Sequence, residues 1–110
     1  MATDPFTAIV SVHRNDDLGR PAGGVSTAIG VNVQWQDGPL RVDGVERPRN
    51  GAFVEEVIAI AADRLEYYQE SQFCCIENAV ALGHLRAALE ILECRTQLRE
   101  LRGVEGTHEK

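Results

Sequence analysis

Residues 51–110 contain no proline, and apolar side chains recur there at helical spacing. The first series ends at Tyr68 and predicts a helix over about residues 51–69, with Asn50 as its N-cap. The second series predicts a helix over about residues 75–102 that Gly103 ends. Its seam alternates steps of three and four residues and consists of Leu82, Leu85, Leu89, Leu92 and Thr96. Together the two segments predict an antiparallel helical hairpin.

The length of the second helix predicts self-association. A helix of about 28 residues spans about 42 Å, whereas a compact chain of this size has a radius of gyration of about 13 Å. The helix would protrude from a monomer with apolar positions uncovered. We therefore expect the hairpin to mediate oligomerisation. Gly83 and nearby alanines would allow close helix contacts, or Gly83 is a helix glycine that is merely tolerated.

Residues 1–49 are rich in Gly, Pro and Asp and contain short β-branched runs. Strands are predicted over residues 7–12 and 28–35, and residues 40–45 are a candidate partner strand. Residues 15–24 have the composition of a loop. The predicted fold class is α+β, with a small N-terminal antiparallel sheet (1–49) and a long C-terminal helical hairpin (50–110) in one domain, 1–110.

The composition argues against two classes of binding partner. The 17 acidic residues outnumber the 11 basic ones, so the formal net charge is -6. A non-specific DNA binder needs a basic face, so no DNA partner is expected. No apolar run is long enough for a membrane span, and no membrane partner is expected. The three cysteines, two of them adjacent, are expected to be buried, reduced thiols of a cytosolic protein.

No pattern of a catalytic site or a metal site is found. The three histidines are far apart in sequence and lack the spacing of metal ligands, and the motifs of nucleophile elbows, phosphate-binding loops and zinc hydrolases are missing. We expect no catalytic residue, no metal and no cofactor, and hence no enzyme.

A cluster of arginines is a candidate phosphate-binding site. Arg95, Arg99 and Arg102 share one face at the end of the second helix, and a guanidinium group matches a phosphate with two parallel hydrogen bonds. Favourable contact with the helix dipole is the alternative explanation. Arg95 has no acidic residue three or four positions away. The aromatic residues at the predicted turn could stack on a base or cap the hairpin core; they are Tyr67, Tyr68 and Phe73.

The C-terminal half resembles the phage anti-Thoeris nucleotide sponges, whose helical-hairpin domain is shared with the anti-CBASS sponges. The resemblance covers about residues 50–108. It rests on the runs Asp63–Gln69, Glu77–Ala79 and Arg102–Thr107 and on the positions of Leu85, Leu89, Arg95 and Arg99. The segment Trp35–Pro39 resembles the family more loosely.

This resemblance implies a trap rather than an enzyme. Family members bind signalling nucleotides of bacterial immunity, the cyclic ADP-ribose isomers of Thoeris, and withhold them uncleaved from their effectors. Some also hold the cyclic oligonucleotides of CBASS at separate sites, in a hexamer built as a trimer of dimers. A homo-oligomer acting in the host bacterial cytoplasm is therefore implied.

Site residues follow from the resemblance position by position. Tyr68 would stack on the adenine, Asn78 would hydrogen-bond in the pocket, and Arg95 would meet the pyrophosphate. Arg99 and Thr107 are further candidates, and Arg14 is a candidate for a second phosphate contact.

The sequence departs from the family pattern at Ile76, where the family often has arginine, and at His84–Ala87 and Ile91. These changes bear on which nucleotide is bound. Two other functions are open on the residues: a helical-hairpin interaction module without a small ligand, and an enzyme that hydrolyses the signal.

Overall fold

A computed structural model describes residues 8–109. In chain order the elements are β1 (Val10–Asn15), β2 (Pro21–Ala28), β3 (Val31–Trp35), β4 (Arg41–Val42), β5 (Val45–Glu46), α1 (Val54–Gln69) and α2 (Ile76–Leu101). These described residues fall into two compact units. The strand unit comprises residues 8–53 with 106–109, and the hairpin unit comprises Val54–Glu105. The α+β fold class with a three-stranded N-terminal antiparallel sheet and two C-terminal helices is confirmed. Whether the chain acts as a single domain, 1–110, stays a prediction.

The main sheet has the order β1-β2-β3, with antiparallel pairs. Gly24 of the central strand has a φ of +137°, and a Cβ atom built on it would lie 2.1 Å from the Val12 carbonyl oxygen. Glycine is required at this position, because it has no Cβ atom and therefore tolerates both the positive φ angle and the close approach of the neighbouring strand. The register of β1 shifts between His13 and Asn15, which marks a bulge at Arg14.

Two predictions in the strand unit were wrong, and a third was confirmed in part. Residues Pro21–Gly24, predicted as loop, form the first half of β2, because the sheet uses the glycines for close strand approach. Residues 28–35 are not one strand, since a turn at Ile29–Gly30 separates β2 from β3 and leaves Ile29 98% exposed. The strand predicted over residues 7–12 is confirmed over residues 10–12, which begin β1, and Thr7 lies outside the described residues.

The segment predicted as a partner strand over residues 40–45 forms its own small hairpin. Strand β4 pairs with β5 across an Asp43–Gly44 turn, where both residues have positive φ angles, 51° and 78°. Such a two-residue turn matches the twist of the flanking strands. The amide of Arg41 donates to the carbonyl of Gly106 at 2.8 Å, which joins the end of the chain to this unit.

Two side-chain amides join β3 to the segment before α1. The Gln36 Oε1 atom accepts from the amides of Asn50 and Gly51 at 3.0 and 3.2 Å. The Asn50 side chain accepts from the Asp37 amide and donates to the Asp37 carbonyl, both at 2.8 Å. Asn50 therefore does not cap a helix as predicted, and α1 begins three residues later than the apolar spacing suggested. We call these contacts the amide clasp.

The hairpin unit is built as the spacing predicted. Leu82 and Ala62 are its buried apolar residues, each 6% exposed, and the other members of the predicted α2 seam are half-buried. Cys75 caps α2 through its Sγ atom, which accepts from the Asn78 amide at 3.4 Å. Gly103, with a φ of +72°, directly follows Arg102, the C-cap of α2, and confirms the predicted stop.

Candidate functional site

Tyr68 lies in the last turn of α1, beside Tyr67 and below Arg64. The guanidinium carbon of Arg64 lies 4.8 Å from the centroid of the Tyr67 ring and 4.9 Å from that of Tyr68. Positions three and four residues apart meet on a helix, which explains both contacts. A hydrogen bond to the Tyr68 side chain raises the pKa of Arg64 above its ordinary value. Sequence reasoning missed Arg64, although its spacing to the two tyrosines was a usable signal.

Asn78 lies in the first turn of α2 and is half-buried. The loop before it is fixed by Gln69, whose side chain donates to the Cys75 carbonyl at 3.1 Å and accepts from the Cys75 amide at 3.0 Å. Tyr68 and Asn78 therefore flank the same ordered turn of the hairpin.

Arg95 lies near the other end of the hairpin. Its Nη2 atom is 3.8 Å from the Oε2 atom of Glu55 in the first turn of α1, and its side chain is 59% exposed. The local sequence around Arg95 offered no ionic partner, but the fold supplies one across the hairpin. A contact this long and this exposed contributes little to stability, so the guanidinium can bind other anions.

Arg99, unlike Arg95, is held by contacts within its own hairpin unit. Its Nε atom donates to Glu105 at 2.9 Å and its Nη2 atom donates to the Val104 carbonyl at 2.9 Å. The side chain is only 20% exposed. Arg99 therefore fastens the segment that follows α2, and this role competes with phosphate binding.

The remaining two candidates belong to the strand unit. Thr107 is half-buried and its hydroxyl accepts from the Glu109 amide at 3.2 Å. Arg14 is exposed at the bulge of β1.

The structure of one hairpin does not bring the predicted base-stacking and phosphate-binding residues together. Arg95 lies opposite Glu55, and Glu55 and Tyr68 are separated by about 20 Å along α1. One small nucleotide cannot contact both residues within one hairpin.

Comparison with known proteins identifies the relationship. The sequence model of the Acb2/Tad1 hairpin domain matches residues 28–96, more than half of the chain. The chain belongs to the Acb2/Tad1 hairpin family. It is also 49% identical over 80 residues to "Thoeris anti-defense 1" of Bacillus phage SBSphiJ7. That match covers 73% of this chain and 54% of the relative, so the chain spans about half the length of the curated relative it matches.

The anti-Thoeris resemblance of the sequence is thus confirmed at the level of the family. The relative is named as an anti-defence protein and not as an enzyme. Among residues 8–109 of this Acb2/Tad1 hairpin protein, no group of three or more His, Cys, Asp or Glu is placed to hold a metal ion. Within the same residues, no helix is long and apolar enough to cross a membrane.

The hairpin of this Acb2/Tad1 protein also contains an open groove of about 410 Å³. The residues that line it are Glu66, Gln69, Glu70, Ala79, Leu82 and Arg86. The two carboxylates would repel a phosphate, and the one arginine is paired with Glu66 at 2.5 Å. Sequence reasoning did not find this groove, because it depends on how the two helices pack.

The three cysteines are free and exposed, which corrects the expectation of buried thiols. Cys74 and Cys75 lie in the hairpin turn region, and Cys94 lies on α2. Their exposure makes each of them accessible to thiol reagents.

Proposed function

We propose that this chain binds a signalling nucleotide of bacterial immunity, a cyclic ADP-ribose isomer, and sequesters it without cleaving it. The observation that carries the proposal is the 49% identity over 80 residues to a Thoeris anti-defence protein. Such a protein would act in the host cytoplasm. Tight capture requires strong binding, and nanomolar affinity corresponds to about -12 kcal/mol.

The chemistry of the hairpin ends supports the proposal. Tyr68 presents an aromatic ring for an adenine base, with Arg64 on one side of it, and stacking of this kind contributes about 1–3 kcal/mol. Asn78 offers an amide for hydrogen bonds beside the same turn. Arg95 offers an exposed guanidinium for the pyrophosphate.

Arg99, Thr107 and Arg14 have secondary roles in this proposal. Arg99 would position the segment after α2, since Glu105 and Val104 already hold its guanidinium. Thr107 and Arg14 would contribute further polar contacts to the ligand.

The separation of Tyr68 and Arg95 makes assembly part of the proposal. Because one hairpin cannot bring both to one ligand, the complete pocket would take residues from two copies. The functional unit would be a homo-oligomer, a dimer or a hexamer built as a trimer of dimers. Cyclic oligonucleotides of CBASS would be a second ligand class at a separate site.

Calorimetric titration with cyclic ADP-ribose isomers, cyclic dinucleotides and cyclic trinucleotides tests the proposal. Arg95→Ala should weaken binding of the preferred ligand about 10- to 100-fold, since a hydrogen bond to a charged group contributes about 1.5–3 kcal/mol. The matched control is Arg47→Ala, which removes the same charge from an exposed position of the strand unit.

Two results would count against the proposal in different ways. Equal affinities for the wild-type protein and Arg95→Ala would overturn the assigned phosphate contact. No binding across the whole panel would overturn the sequestering function, and a role as a protein-interaction module would then explain the hairpin better.

A further inference from the structure

The turn between α1 and α2 is fixed by a chain of hydrogen bonds that runs from Tyr68 to Asn78. Ser71 forms its first part. The Ser71 hydroxyl and amide both donate to the Tyr68 carbonyl, at 2.7 and 3.1 Å. The Phe73 amide donates to the Ser71 hydroxyl at 3.1 Å, and the Cys74 amide donates to the Ser71 carbonyl at 3.3 Å. Ser71 therefore joins the last turn of α1 to the residues that precede α2.

Gln69 closes the turn. Its Oε1 atom accepts from the Cys75 amide at 3.0 Å, and its Nε2 atom donates to the Cys75 carbonyl at 3.1 Å. A primary amide carries a donor and an acceptor side by side, so Gln69 satisfies both backbone groups of Cys75 at once. Gln69 is the last residue of α1 and Cys75 is the N-cap of α2. This pair of hydrogen bonds therefore ties one helix end to the other.

Cys75 continues the chain of contacts to Asn78. Its backbone is extended, with φ -157° and ψ 164°, as is usual for an N-cap residue. Its Sγ atom accepts from the Asn78 amide at 3.4 Å. Because sulfur is a weak acceptor, this contact depends on Gln69 holding the Cys75 backbone in place. We call Gln69, Ser71 and Cys75 the turn lock.

The turn lock is separate from the core that packs the two helices. None of its residues is buried, whereas the buried apolar residues of the hairpin, Ala62 and Leu82, lie on the helices themselves. Short connections between antiparallel helices adopt a few different conformations, and a packed seam alone does not choose among them. The lock therefore fixes one conformation of the turn, and with it the placement of Tyr68 relative to Asn78.

We propose that Gln69 is a positioning residue of the nucleotide site, which holds Tyr68 and Asn78 in their binding arrangement before the ligand arrives. The inference rests on the proposed function, in which Tyr68 stacks on the base and Asn78 hydrogen-bonds in the pocket. Ordering a loop on binding reduces affinity, and a preformed site avoids that cost. Both polar atoms of the Gln69 side chain already bond to Cys75, so Gln69 acts through its neighbours and not on the ligand.

The first test is the affinity of Gln69→Met for the cyclic ADP-ribose isomer that the wild-type protein binds most tightly. Methionine is close to glutamine in length and helix propensity, but it cannot donate to the Cys75 carbonyl. Gln69→Met should weaken binding about tenfold, which corresponds to about 1.4 kcal/mol. Circular dichroism should show an unchanged helix content, so that the lost affinity does not reflect a lost fold.

Gln72→Met is the matched control. Gln72 lies in the same turn and is exposed, and its side chain makes no hydrogen bond among residues 8–109. The same substitution at this position removes a glutamine from the turn but leaves the turn lock intact. The affinity of Gln72→Met should therefore equal that of the wild-type protein.

A double-mutant cycle separates positioning from a general loss of stability. If Gln69 acts by placing Asn78, then Gln69→Met should weaken binding less than about twofold further in a chain that already carries Asn78→Ala. In a chain that carries Arg95→Ala, near the other end of the hairpin, Gln69→Met should keep its full effect. A merely structural role would give the same loss in both chains.

The helix cap offers a second pair of variants. Cys75→Ser keeps a side-chain acceptor for the Asn78 amide, and serine is a good N-cap residue. Cys75→Ala removes that acceptor. Binding should be retained in Cys75→Ser and weakened about threefold or more in Cys75→Ala.

Hydrogen exchange of the ligand-free protein tests the lock without any nucleotide. The amides of Cys75 and Asn78 are held by the Gln69 side chain and by the Cys75 thiol. Gln69→Met should speed the exchange of both amides, as measured by nuclear magnetic resonance, and Gln72→Met should speed neither.

The outcomes separate this inference from the proposed function. Wild-type affinity in Gln69→Met, or equal losses in the Asn78→Ala and Arg95→Ala chains, would overturn the positioning role even though the wild-type protein binds its nucleotide. Unchanged amide exchange in Gln69→Met would overturn the lock itself. A wild-type protein that binds no nucleotide of the panel would overturn the sequestering function and, with it, any positioning of a nucleotide by Gln69.

Discussion

The two units of this chain are specified in different ways. In the hairpin, apolar residues at a regular period select both helices and their mutual seam, and Leu82 lies at the centre of that seam. In the strand unit, single positions decide the geometry, such as Gly24 beside Val12 and the amide clasp of Gln36 and Asn50. A periodic unit should tolerate most single changes, whereas a unit set by contacts at particular atoms should not.

The same substitution in the two units gives the largest expected contrast. Gly24→Ala should destabilise the strand unit by more than about 4 kcal/mol, because its Cβ would overlap the Val12 carbonyl. Gly83→Ala should stabilise α2 by up to about 1 kcal/mol, because alanine is the better helix former and the site is open.

Chemical denaturation checks this contrast with two probes. Trp35, the one tryptophan of the sequence, reports on the strand unit by fluorescence, and far-UV circular dichroism reports on the helices. Equal stability of wild-type and Gly24→Ala proteins would break the comparison.

Truncation of the hairpin seam should have the next largest effect. Leu82→Ala should cost about 3 kcal/mol, because it leaves a cavity beside α1. Ile60→Ala, at a position that is 70% exposed, should change stability by less than about 0.5 kcal/mol. Thermal melts followed by circular dichroism at 222 nm give the change in stability of both variants. Similar losses of stability in the two variants would contradict the assigned seam.

The amide clasp should matter less than the seam. Asn50→Ala removes two hydrogen bonds to Asp37 and should destabilise the strand unit by about 1–2 kcal/mol. Asn32→Ala, which removes an exposed side-chain contact to Gln34, is the control and should have little effect. Tryptophan fluorescence during urea unfolding reports on both, and an unchanged midpoint for Asn50→Ala would argue against the clasp.

The smallest expected effect is a pH dependence in the β1–β2 turn. Hydrogen bonds from Arg20 and Leu18 to the Asp16 carboxylate lower its pKa below 3.8. The ionised carboxylate stabilises the folded state above pH 3.8, and this contribution is lost as the pH falls through the lowered pKa.

Asp16→Asn should therefore lower the melting temperature slightly at pH 7 and lose this difference in strong acid. Asp17→Asn, at the exposed neighbouring position, is the control. A difference between wild type and Asp16→Asn that grows toward low pH would have the wrong sign for this account.

The same contrast explains what the sequence could predict. The helices, the Leu82 seam and the Gly103 stop follow from periodicity and local capping, so they were predicted well. The β2 strand at Pro21–Gly24 was missed, because its glycines look like loop residues until the partner strand is in place. The turn at Ile29 was missed, because the regular alternation of apolar and polar residues continues through it.

Parts of the candidate site depended on tertiary contacts. Glu55 is far from Arg95 in sequence, and only the hairpin brings the two together. The contacts of Arg99 with Val104 and Glu105 likewise depend on how the chain turns after α2. The stacking of Arg64 on Tyr67 and Tyr68, in contrast, was accessible from helical spacing alone.

The most direct test of the central claim is recovery of the captured nucleotide. The protein is saturated with the cyclic ADP-ribose isomer that it binds most tightly, and the unbound ligand is removed. Heating then releases the bound ligand, which is measured by mass spectrometry. Sequestration predicts intact ligand in a fixed ratio to protein chains. Recovery of a linear or fragmented product, or of no nucleotide, would contradict it.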